Sequence, residues 1–194
     1  MINKEEFENI RKEFDEFDKI RELIIKESRD ILKLSKQAIF SVHRGDFEIA
    51  DEKLKKAEEI MLKIRKEAVK APETYSGSFR GALEEYSEAK MFYEFLKNKK
   101  LPKLKELNVS PEQYLGGLAD FTGEIVRKAV LLATEKKTSE VKKIRDLVDD
   151  IYGQFVQFDF RNGDLRKKYD SIKYNLQKVE NFLYDLSMSK SSKD

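Results

Sequence analysis

Asn162-Gly-Asp-Leu-Arg-Lys-Lys-Tyr-Asp-Ser-Ile-Lys-Tyr-Asn-Leu-Gln-Lys-Val-Glu-Asn-Phe-Leu-Tyr-Asp-Leu-Ser187 decides the fold class. Asn162 and Gly163 signal a turn. After them Leu165, Tyr169, Ile172, Leu176, Val179, Leu183 and Leu186 recur in strict three-and-four alternation. Side chains so spaced share one side of a helix, so the segment is a helix to about Ser189 with one apolar seam. The seam faces a core first of all. Flanked by Tyr174, Phe182 and Tyr184, the helix also has the features of a second face that buries surface against another subunit.

The same period runs back through the chain. Phe7, Ile10, Phe14, Phe17, Ile24, Ile31, Ala38 and Val42 predict a long first helix over about 3–43, ended by Gly45. Asp46 caps a second, carrying Phe47, Ala50, Leu54, Ala57, Met61, Ile64 and Ala68 and closing before Pro72; a loop follows over 71–78. A third helix runs over about 78–97 on a stripe of Ala82, Tyr86, Ala89, Tyr93 and Leu96. Ser110 and Pro111 give an N-cap with proline at the first helical position, opening a helix that continues to about Glu135. Another spans about 139–158. With no β alternation, internal repeat or low-complexity tract, the expected fold is all-α, an antiparallel bundle of six to seven helices. At 194 residues it is expected to be a single domain, 1–194, with a flexible tail from about 190.

Composition narrows function by exclusion. Lys and Arg number 39 against 37 for Asp and Glu, so a nucleic-acid footprint must come from local clustering. No Cys is present, which excludes disulfides and thiolate chemistry and suits a reducing interior. The opening Met-Ile-Asn-Lys-Glu-Glu lacks the apolar region of a signal peptide, and no segment approaches the roughly 20 apolar residues of a membrane span. The expected setting is cytoplasmic. There is no Gly-x-x-x-x-Gly-Lys phosphate loop, no His-Glu-x-x-His and no Ser/His/Asp set. His43, the sole histidine, is expected to serve a helix end.

Four acids stand out. Gly81, Glu85, Glu88, Phe92 and Phe95 form one row on the third helix, so two carboxylates continue an otherwise aromatic line. Gln113, Gly117, Asp120, Glu124 and Arg127 form a matching row on the helix after it, beside the stripe Tyr114, Leu118, Phe121, Ile125, Ala129 and Leu132. At about 1.5 Å per residue, Glu88 and Asp120 each lie roughly 14 Å from the hairpin end, and Glu85 and Glu124 roughly 19 Å. Gly116, Gly117 and Gly123, each costing up to about 1 kcal/mol against alanine in a helix interior, suggest close backbone approach. Four carboxylates gathered there repel unless a divalent cation or shared protons neutralise them. Oxygen-only donors favour Mg²⁺ or Mn²⁺, which can activate water and stabilise a scissile phosphate. Spacing alone leaves open a metal site and a hydrogen-bonded structural cluster. On the first helix Arg21, Lys26, Arg29, Lys33 and Lys36, with Arg44, form either a backbone-binding surface or a solvated face interleaved with Glu22 and Glu27.

Gly81-Ala-Leu-Glu-Glu-Tyr-Ser-Glu-Ala89 and Tyr114-Leu-Gly-Gly-Leu-Ala-Asp-Phe-Thr-Gly-Glu-Ile-Val-Arg127 resemble the translin/Trax family, specifically its Trax-like branch. The segment 162–187 resembles the family's C-terminal signature, in a form nearer translin, and with His43-Arg44-Gly45 the resemblance extends over about 20–188. It implies a helical bundle assembling as a homo-oligomer, an octamer-like shell that binds RNA or single-stranded DNA. Trax-like members are Mg²⁺-dependent endoribonucleases whose acids lie in Glu-Tyr-x-Glu-Ala and Asp-x-Thr-Gly-Glu motifs. Carried over, the resemblance makes Glu85, Glu88, Asp120 and Glu124 both metal ligands and catalytic residues. Translin-type sequences lack the first pair, so its presence here argues for activity over a non-catalytic binding shell. The sequence departs from the translin branch at the His/Arg-rich run before the third helix, where only Arg80 remains in Tyr75-Ser-Gly-Ser-Phe-Arg80.

Overall fold

A computed structural model describes residues 2–68 and 77–191, with side chains to 188. Seven helices are present among them: α1 (Lys4–Arg44), α2 (Phe47–Ala68), α3 (Gly77–Asn98), α4 (Leu104–Leu107), α5 (Pro111–Thr134), α6 (Thr138–Phe155) and α7 (Asp164–Ser191). The expected all-α bundle is therefore the fold found. Residues 71–76 of the expected loop, Pro72 among them, and the end of the tail lie outside the described residues.

Helix ends fall where local chemistry puts them. The Asn3 side chain accepts from the Glu5 and Glu6 amides, capping α1. Gly45, at φ +85°, turns the chain into the left-handed region that a side chain resists, and the Asp46 amide bonds back to the Ser41 carbonyl. Ser110 and Gln113 form a reciprocal capping box at α5, with Pro111 at its start. The unexpected helix is α4, a single turn with a buried Leu107, too short to show a period in the sequence. Helix α6 stops at Phe155, short of the expected Phe158, whose aromatic character lies past the last helical turn. Phe158 instead stacks on Phe160, and both rings contact Phe155.

The chain divides into two compact units, Met1–Tyr93 and Glu94–Asp194. In the first, α1 and α2 form a helical hairpin over a core that includes Ile24, Ile31, Ala38, Leu54, Ala57 and Ile64. At about 1.5 Å per residue, the 22 residues of α2 span about 33 Å, roughly half of the 41-residue α1. The apolar row of α1 is accordingly buried from Ile24 onward, whereas Phe7, Ile10 and Phe14 are exposed. Helix and row are as the spacing predicts, and the first turns of that row are exposed.

In the second unit α5, α6 and α7 each contact the other two. Phe121, Ile125, Ala129, Val141, Val148, Phe155, Ile172 and Val179 close the core. The α7 seam faces inward at its middle, while Tyr174 and Tyr184 are exposed and Phe182 is half-buried. Among the described residues no helix is long and apolar enough to cross a membrane.

Candidate active site

Three contacts hold α3 on α2 within the first unit. The Tyr86 hydroxyl donates to Glu58 Oε1 at 2.6 Å, Lys90 Nζ lies 3.2 Å from the same oxygen, and the Tyr93 hydroxyl donates to Asp51 Oδ1 at 3.2 Å. The His43 ring packs against Phe92 at 4.6 Å between centroids, so the lone histidine belongs to the α1–α3 packing at a helix end. With Tyr86 and Tyr93 committed to α2, the rotation of α3 is set, and Glu85 and Glu88 take its flank. Glu88 is buried, only 8% exposed, and Glu85 is half-buried. A carboxylate with so little access to water is costly unless its charge is answered.

The second unit carries the other two acids on α5. Asp120 accepts a charged hydrogen bond from Lys168 Nζ, a residue of α7. Burial pushes the Lys168 ammonium below the usual lysine range, since a half-buried cation loses hydration. Nearby on the same helix, the Thr122 hydroxyl donates to the Ala119 carbonyl at 2.7 Å and accepts from Asn175 Nδ2 at 2.9 Å. Glu124 lies 3.5 Å from Arg127 on its own helix, with its side chain about one-quarter exposed. Lys168 and Asn175 thus orient the Asp-x-Thr-Gly-Glu segment from α7. Neither was singled out from the sequence; the available signal was a polar residue four and three positions either side of buried Ile172 and flanking its row.

Gly123 does not need close approach. Gly116 and Gly117 are buried, but a Cβ at Gly123 would meet only Asn175 Nδ2, at an ordinary 3.7 Å. Within either unit, among the described residues, no three His, Asp or Glu side chains gather as a ligand set for a metal ion. Within the first unit α3 carries one pair of carboxylates, and within the second α5 carries the other.

Of the basic residues, Lys26, Arg29 and Lys33 are exposed along α1, Arg21 is exposed and paired with Asp18 at 3.4 Å, and Arg80 is exposed in the first turn of α3.

Known proteins resemble this chain over nearly its whole length. A family model described as the Translin family matches residues 19–190. An uncharacterised protein of Methanocaldococcus jannaschii is 31% identical over 167 residues, covering 84% of this chain and 74% of its own length. Translin-associated protein X of Rattus norvegicus is 25% identical over 225 residues, covering 94% and 77%. The solved structure of an AfC3PO–duplex RNA complex superposes with a TM-score of 0.86 at 26% identity, covering 95% of this chain and 97% of that one. With the family model spanning both acidic motifs and the α7 seam, the chain belongs to the translin family.

Proposed function

We propose that this chain is the subunit of an oligomeric, Mg²⁺- or Mn²⁺-dependent endoribonuclease of Trax-like type, acting on RNA in the cytoplasm. The observation that carries the reading is the presence of both acidic pairs, Glu85/Glu88 and Asp120/Glu124, on helices held in fixed rotation by other contacts. The donor set fits a hard divalent ion, because all four side chains offer carboxylate oxygen and nothing softer. Such an ion, when bound, supplies an activated water and draws charge from a scissile phosphate. Glu85, Glu88, Asp120 and Glu124 would hold it. Lys168 keeps Asp120 oriented, and Asn175 keeps the following turn in place through Thr122. The likeness to a protein solved with duplex RNA supports RNA as the partner, and an octamer-like homo-oligomer and single-stranded DNA binding belong to the same proposal.

A second reading is a non-catalytic nucleic-acid-binding shell, favoured by the direct Lys168–Asp120 pair, which answers one carboxylate without any metal. Cleavage of a labelled RNA with and without EDTA separates the two. The enzyme reading expects Glu88→Ala and Asp120→Ala each to abolish cleavage while RNA binding persists or tightens, since removing negative charge lessens repulsion of phosphate. Arg80→Ala weakens binding in a salt-dependent way. Cleavage that survives EDTA, or full activity in Asp120→Asn, overturns the metal role.

A further inference from the structure

In the first unit, α1 and α2 enclose an open groove of about 590 Å³, lined by Leu32, Lys33, Lys36, Gln37 and Phe40 of α1 and Lys53 of α2. Three features coincide there. None of the three lysines forms an ion pair with a described residue; nearby Glu52 is engaged by Lys56 at 2.5 Å. Phe40 is 58% exposed at the groove edge, although it stands next to buried Ile39 and Ser41 in the last turns of α1. The Arg44 guanidinium lies 5.6 Å from the centre of the Phe40 ring, while also reaching Asp46 at 3.6 Å. Lys26, Arg29, Lys33, Lys36 and Phe40 follow three-and-four spacing, so one charged row about 21 Å long leads into the aromatic end.

An isolated exposed phenylalanine calls for no explanation, and lysines alone attract any polyanion. Together they select a partner with regularly spaced negative charge and flat apolar faces. Bases in a duplex are stacked on one another and offer no face to Phe40, whereas an unpaired strand offers one per nucleotide. We propose that this groove binds an unpaired segment of RNA, with Lys33, Lys36 and Lys53 on its phosphates and a base stacked on Phe40 beside Arg44. The proposal rests on the RNA reading above for its choice of polymer, but uses none of the four acids.

The test is fluorescence anisotropy with a labelled unstructured RNA of about 12 nucleotides and a blunt RNA duplex of the same length. The proteins are the wild type, Phe40→Ala, Phe40→Tyr and a combined Lys33→Gln, Lys36→Gln, Lys53→Gln variant. Phe40→Ala is expected to weaken single-strand binding by about 5- to 150-fold and to leave duplex binding unchanged, with Phe40→Tyr restoring the wild-type value. The triple variant should lower the slope of log K against log salt by about 2, since each phosphate left without its lysine removes about 0.7. Equal weakening for duplex and single strand, or wild-type binding by either Phe40→Ala or the triple lysine variant, overturns the proposal. So does a change in assembly mass on light scattering with RNA affinity unaltered, which would make the groove a protein interface. If the wild type cleaves RNA while the variants bind normally, this inference fails and the enzyme reading stands; if the variants weaken binding and no metal supports cleavage, the reverse holds.

Discussion

Replacing Lys168 by methionine removes the ammonium from Asp120 while keeping most of the aliphatic volume. Two unit charges about 4 Å apart attract by about 4 kcal/mol at an effective dielectric near 20. Against that stands lost hydration, recorded in the lowered proton affinity of Lys168. The side chains keep 27% and 34% of their surface, so the pair lies between an exposed ion pair, worth about 0–1 kcal/mol, and a buried one, whose rupture costs about 3–5 kcal/mol. The expected coupling is about 1–2 kcal/mol. Urea unfolding of wild type, Lys168→Met, Asp120→Asn and the double variant measures it directly, in chelator at neutral pH and one protomer concentration. A coupling below about 0.3 kcal/mol, within ordinary additivity, would refute the claim that Lys168 positions Asp120. Added Mg²⁺ extends the test: if Asp120 is a cation ligand, the ion should raise the melting temperature of Lys168→Met more than that of the wild type, because the competing ammonium is gone.

Tyr114 donates its hydroxyl to the Pro102 carbonyl at 3.0 Å, and burial, with Glu106 nearby, raises its pKa above the ordinary 10.0. The unfolded chain therefore loses this proton first as pH climbs, so the contribution is intact below about pH 10 and is lost as pH rises through the higher folded value; Tyr114→Phe should lose stability less steeply across that window in alkaline urea titrations. Gly153→Ala and Gly123→Ala should each raise stability by about 0.5–1 kcal/mol on thermal unfolding, since a Cβ meets nothing within 4 Å at the first and only Asn175 at 3.7 Å at the second. A large drop in Gly123→Ala would restore close approach as the reason for that glycine. Phe155→Ala, which empties a 1% exposed position touching Phe158, Phe160 and Tyr169, should cost about 3–5 kcal/mol by the same assay.

Helices were legible because their signals are local. Ser110, Gln113 and Pro111 sit within four residues of one another, and the α7 row repeats often enough to exclude a strand. What lies outside a helix was not legible by the same means. The row on α1 keeps its period from Phe7 to Val42, yet only the part facing the shorter α2 is buried, since periodicity records which residues share a face and not whether anything covers it. The candidate acids divide the same way. Their residue types and spacing are visible in two short motifs, but the cation that meets Asp120 comes from 48 positions further along, in a lysine-rich turn where neighbours such as Lys167 pair locally instead. The same limit hid the groove: Lys33 and Lys36 belong to a row that spacing reveals, but Lys53 joins them only when the turn at Gly45 folds α2 back on α1. A charged surface gains selectivity when separate segments of chain meet, so the residues that distinguish one polyanion from another are the ones a single helical row conceals.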